Sequence, residues 1–96
     1  MAIVVLVTFK AKPEAFEGLK SGLAGILPDT RDFPGSLGVS ACADPASHTI
    51  LIHERWNTPE DQQKYMAWRN EGGGMDGLGE ALVAPPEFQT LEHIFG

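Results

Sequence analysis

The sequence predicts an α+β domain: one antiparallel sheet with its helices packed on a single face. Three observations carry that prediction. Segments of strand length and segments of helical periodicity alternate along the 96 residues in the order strand, helix, strand, strand, helix, strand. A run of turn-forming residues, Asp44-Pro45-Ala46-Ser47, joins the two middle strands as a hairpin. Both helical segments open on a proline, Pro13 and Pro59, whose fixed φ suits a first helical turn. That order is the split βαβ, or ferredoxin-like, arrangement, laid out as one domain over residues 1–96.

Ile3 to Phe9 is a near-continuous apolar run rich in valine, so this strand needs cover on both faces. After Pro13, the residues Phe16, Leu19, Leu23, Ile26 and Leu27 recur at helical spacing. Pro28 is expected to end that helix, with one further turn over Asp29 to Phe33 before Pro34-Gly35. Leu37 to Ala43 alternates apolar and small polar residues as a strand does. Thr49 to Trp56 is the third strand, and it feeds a helix through Thr58-Pro59-Glu60-Asp61: a capping hydroxyl, a proline, then acids facing the positive helix end. Beyond Gly72-Gly73-Gly74 a short helical segment is expected, with Met75, Leu78 and Leu82 on one face. Ala84-Pro85-Pro86 stops it, and Phe88 to Phe95 reads as the last strand, with Leu91, His93 and Phe95 on one side.

Composition excludes several classes of function. A net charge of −6 with scattered lysines argues against a nucleic-acid surface, because phosphate neutralisation needs clustered Lys and Arg. No apolar run approaches the roughly 20 residues that span a bilayer, and no signal peptide is legible. The single cysteine, Cys42, forms no internal disulfide and suits a reduced cytoplasm. The reading is a cytoplasmic protein that contacts neither membrane nor nucleic acid.

The strand-to-helix junction from Thr49 to Arg69 gathers His53, Arg55, Trp56, Tyr65, Trp68 and Arg69, more ring and proton chemistry than any other segment. His53 is the candidate for moving protons, since an imidazole titrates near neutrality; the bland alternative places it at an interface or in the core. Arg31 and Arg69 are candidates for holding an anionic oxygen. Glu54 and Arg55 read as ordinary ion-pair residues. Trp56, Tyr65 and Trp68 could wall a cleft or simply pack, and the last two lie three apart on one helix. His48 and His53, read as one strand, point to opposite faces, so no metal site is expected. Gly72, Gly74 and Gly77 match G-x-G-x-x-G by letter, but they follow a helix and not a strand, so a dinucleotide site is rejected.

Three stretches together resemble the antibiotic biosynthesis monooxygenase superfamily: VVLVTFKAKPEAF at the start, ILPDTRDFPGSLG after the first helix, and HERWNTPEDQQKY across the junction. The resemblance implies a dimeric α+β barrel in which two sheets face each other across a two-fold axis. It also implies chemistry without a cofactor: an electron-rich quinol or polycyclic phenol, once deprotonated, reduces dioxygen itself. In that reading His53, Tyr65 and Arg69 are catalytic, and Trp56, Trp68 and Arg31 bind the small aromatic substrate. In haem-degrading relatives a tryptophan stands at the position of Tyr65 and a histidine ligand at that of Met75, so haem degradation is not implied here. The rival reading is a non-catalytic ligand-binding or stress-response homodimer of the same fold; a third is an interaction module whose paired sheets are its whole purpose.

Overall fold

The computed structural model describes residues 1–72 and 78–96. Strand β1 (Ile3–Lys10) leads through a single 3-10 turn at Pro13–Ala15 into helix α1 (Phe16–Asp32), and strand β2 (Ser36–Asp44) turns back as β3 (Thr49–Trp56). Helix α2 (Pro59–Gly72) follows, then a 3-10 turn at Gly79–Ala81 and strand β4 (Glu87–Glu92). The strands pair antiparallel in the order β2-β3-β1-β4, the ferredoxin-like topology, with both helices on one face.

The alternation of β1 and β3 decides which residues meet the helices. Ile3, Val5, Val7 and Phe9 of β1, with Ile50, Ile52 and Trp56 of β3, form the core with Phe16, Leu19 and Leu23 of α1 and Tyr65 of α2. Their neighbours Val4, Leu6 and Thr8, paired with Arg55, His53 and Leu51, lie on the other face of the sheet. No element covers that face among the described residues.

Several boundaries differ from the expectation. Helix α1 continues through Pro28 to Asp32. Pro28 lies on the exposed side of the helix. The turn beyond it is gripped from α2, where Arg69 Nη2 donates to the Ile26 carbonyl at 2.8 Å and to Thr30 Oγ1 at 3.1 Å. Tertiary contacts thereby offset the local cost of an interior proline. His48 belongs to the β2–β3 turn, at a φ of 54° and edge-on to Phe16, not to the strand. The last strand ends at Glu92, where its neighbour β1 begins; the final ladder position pairs Ile3 with Glu92. Ile94 and Phe95 are almost fully exposed beyond it. The triple glycine reaches into, and Met75 falls within, residues 73–77, outside the described residues.

The start of β2 is locked to the β3–α2 junction. Gly35 has a φ of 93°, and a Cβ there would collide with the side chain of Asp61 in the first turn of α2. The Asn57 amide donates to the Gly35 carbonyl at 2.8 Å. Thr58 Oγ1 accepts the Asp61 amide at 3.1 Å, the capping bond its sequence position predicts.

Candidate functional site: a buried carboxyl and guanidinium between sheet and helices

Between the sheet and the two helices lies an apolar cavity of about 40 Å³. Val7, Phe9 and Ile52 of the sheet and Leu23, Ile26 and Leu27 of α1 line it, with the half-exposed Phe88 of β4 beside them. Three groups with proton or charge chemistry face it: Glu54 from β3, and Tyr65 and Arg69 from α2.

Glu54 stands in the strand at the same parity as Ile50, Ile52 and Trp56, so it points inward with them and is only 5% exposed. Its Oε1 accepts the Trp56 indole N–H at 3.1 Å. Burial raises the carboxyl above its ordinary value of 4.5, because an apolar wall disfavours the charged form. The indole bond and the positive charge of Arg69 pull the other way and do not cancel it.

Tyr65 and Arg69 are four apart on α2 and share its inward face. Arg69 is 5% exposed. Its Nε donates to Tyr65 Oη at 2.9 Å, and its Nη2 donates to Thr30 and to the Ile26 carbonyl. Thr30, fully buried, sits 2.6 Å from Tyr65 Oη through its own hydroxyl. The guanidinium lies over the Trp68 ring, 4.8 Å from its centroid. Among the described residues Arg69 forms no salt bridge. A buried cation without a carboxylate partner is costly in a protein interior, and an anionic ligand would offset it.

Of the residues expected at a site, the structure brings Tyr65 and Arg69 to the cavity. Trp56 is fully buried but stands behind the wall, where it bonds Glu54 and stacks at a tilt on Tyr65, their centroids 5.0 Å apart. Trp68 is 41% exposed and packs outside on Phe33. Arg31 is exposed beside Asp32 and away from the cavity. His53 is exposed on the uncovered face of the sheet, one residue out of phase with Glu54, so it cannot reach this cavity within one protomer. Among the described residues no cluster of His, Cys, Asp or Glu could hold a metal ion.

Two members of the constellation went unrecognised in the sequence. Glu54 was legible, since period-two counting from Ile50 and Ile52 places it on the inner face. Thr30 lies seven residues after Leu23 on the α1 core face, and the expected helix end at Pro28 hid it.

The model of the family described as antibiotic biosynthesis monooxygenase matches residues 2–76, most of the chain. The chain belongs to that family. No curated protein matches it in sequence. Solved structures of the same fold include Rv0793 from Mycobacterium tuberculosis, 17% identical, with a TM-score of 0.88 over 100% of this chain and 98% of that one. A putative antibiotic biosynthesis monooxygenase from Deinococcus radiodurans is 21% identical, with a TM-score of 0.84 over 98% of this chain and 94% of that one. The monooxygenase from the gene ActVA-Orf6 of Streptomyces coelicolor, solved with the ligand nanaomycin D, is 18% identical, with a TM-score of 0.81 over 99% of this chain and 89% of that one. At these identities the structural likeness establishes the fold alone, while the family rests on the sequence model. Among the described residues no helix is long and apolar enough to cross a membrane.

Proposed function

We propose that this member of the family is a cofactor-independent monooxygenase that oxidises a small quinol or phenol with dioxygen in the cavity between sheet and helices. The observation that carries the proposal is Glu54: a carboxyl raised by burial, set in an apolar wall, with Arg69 and Tyr65 across the same space. Glu54 replaces His53 as the base, because its carboxyl faces the cavity and His53 does not. It takes the proton of a substrate hydroxyl, Arg69 holds the phenolate oxygen that remains, and the electron-rich ring gives two electrons to dioxygen. The ring hydroperoxide formed by that two-electron step then loses water: its O–O bond and the ring C–H bond break, a carbonyl forms and two further electrons reach oxygen, so a quinol becomes a hydroxyquinone without an external reductant. Membership of the family and the nanaomycin-bound relative support a small-molecule ligand.

The cavity's size bears on the substrate. At about 40 Å³ it is well below the roughly 150 Å³ that accommodates a benzene ring. A ring therefore enters by displacing lining side chains, of which the unbranched Met66 is the most yielding. That favours a single-ring quinol over a polycyclic phenol. We also propose a homodimer, joined through the uncovered sheet face that carries Leu51 and Leu91.

Oxygen uptake with a panel of substituted quinols tests the reaction. Turnover is expected to rise with pH as Glu54 ionises, above the ordinary carboxylate range, with substrate ionisation controlled separately. Glu54→Gln should lower turnover by roughly 10²–10⁴-fold and remove that rise, while His53→Ala leaves both in place. If no quinol or phenol consumes oxygen above the uncatalysed rate, the non-catalytic ligand-binding dimer is the better reading.

A further inference from the structure

The hydroxyl of Thr30 is buried and accepts from Arg69, which anchors the end of α1; its own proton is not fixed by that bond. Arg69 can only donate, so its Nε–H places one proton on Tyr65 Oη, and Nη2 places its two on Thr30 Oγ1 and the Ile26 carbonyl. The remaining contact, 2.6 Å between Thr30 Oγ1 and Tyr65 Oη, runs in one of two directions. If Tyr65 donates, the proton left over belongs to Thr30, a residue with no exposed surface whose hydroxyl donates to no other group among the described residues. If Thr30 donates, the proton left over belongs to Tyr65, which lines the cavity, where water or a ligand oxygen accepts it. A buried hydroxyl proton with no acceptor carries its full desolvation penalty, so the second direction is favoured.

We infer that Thr30 is a positioning residue: it donates to Tyr65 and so aims the tyrosine proton into the cavity, at an acceptor oxygen of the ligand. That oxygen is a carbonyl or a phenolate, and it sits where Tyr65 Oη–H and the charge of Arg69 converge. Tyr65 then accepts two hydrogen bonds and gives one, a pattern that fits a group stabilising negative charge on oxygen. The role of Tyr65 toward a reacting oxygen rests on the oxidation proposed above; the direction of the Thr30 bond does not.

The chain contains one tyrosine, so the Raman Fermi doublet of tyrosine, whose intensity ratio distinguishes an accepting from a donating hydroxyl, reports Tyr65 without interference from other tyrosines. In the ligand-free wild type it should lie on the acceptor side of the ratio, because Oη accepts from both Thr30 and Arg69 and gives a single proton to water in the cavity. Thr30→Val, which keeps shape and loses the hydroxyl, should shift the ratio toward the donor side, and Thr30→Ser should restore it. With an oxidised quinol, Thr30→Val should lower kcat roughly tenfold or more with little change in KM, because the proton is no longer aimed; Thr30→Ser should recover most of that loss. A shift of the doublet toward the acceptor side in Thr30→Val, or no shift, overturns the inference. The spectrum needs no substrate: the expected shift without any quinol oxidation would defeat the proposed reaction and leave the Thr30 bond standing. Oxidation with a doublet that moves the wrong way would do the reverse.

Discussion

At Glu54, one carboxyl couples the proposed chemistry to the stability of the whole domain. A group whose folded pKa lies above its unfolded value binds its proton more tightly in the folded chain. Its contribution to stability is therefore complete below the ordinary value of 4.5 and is lost as pH rises through the raised value. Glu54→Gln removes the ionisation and keeps an acceptor for the Trp56 indole. Urea unfolding of the two proteins across this window should show wild type losing stability relative to Glu54→Gln as pH rises. An unchanged difference between them would mean that Glu54 ionises as freely in the folded chain as in the unfolded one. Asp44 shows the opposite behaviour at the surface. Its carboxylate accepts the Ser47 hydroxyl and the Ala46 amide in the hairpin turn, which hold it below the usual range, and it only shapes the turn.

Among the elements, α2 carries the site because its register is set at its first residue. Thr58 caps the Asp61 amide, Pro59 fixes the first turn, and Glu60 and Asp61 face the positive end of the helix. From that start Tyr65 and Arg69 fall on the inner face. Thr58→Ala should cost roughly 0.5–2 kcal/mol, about 1 being typical, measured as a lower midpoint in chemical unfolding with an unchanged slope. A loss of only a few tenths would show that the helix start is held mainly by other contacts, among them the fit of Gly35 against Asp61. Helix α1 shows how such contacts act at a distance. Arg69 and Tyr65 hold Thr30 beyond Pro28, so the turn that a proline should have loosened becomes part of the site.

For the molecule as a whole, the uncovered sheet face is the largest unresolved demand on the fold. Val4 and Leu6 of β1 lie there between Arg55 and His53 on one side and Leu91 and Gln89 on the other. Leu51 and Leu91 expose much of their surface, and the Arg55 Nε is buried on that face with no partner among the described residues. A chain of this size buries only about 60–65% of its unfolded surface, and a second copy placed face to face would add to its core. Light scattering should therefore find the wild type as a dimer at micromolar concentration and Leu51→Glu as a folded monomer. A wild-type monomer would defeat the dimer and leave the cavity, which one protomer completes by itself, unaffected.

The sequence by itself determined the order of elements, the hairpin, the capped start of α2 and the family. All of these are written in local signals: period two in β1 and β3, period 3.6 in α1, turn chemistry at Asp44 to Ser47, and Thr58-Pro59. It also singled out Tyr65 and Arg69, which the structure brings to one cavity, because a strand feeding a helix brings their residues together over a short span. What the tertiary structure alone decided was which of two adjacent residues, His53 or Glu54, faces the cavity and what each buried group bonds. Residue type alone favoured His53, but the face a strand residue takes is set by the helices that cover the sheet. Thr30 illustrates the same limit: its partners are 35 and 39 residues away, and no local pattern encodes a bond across that distance.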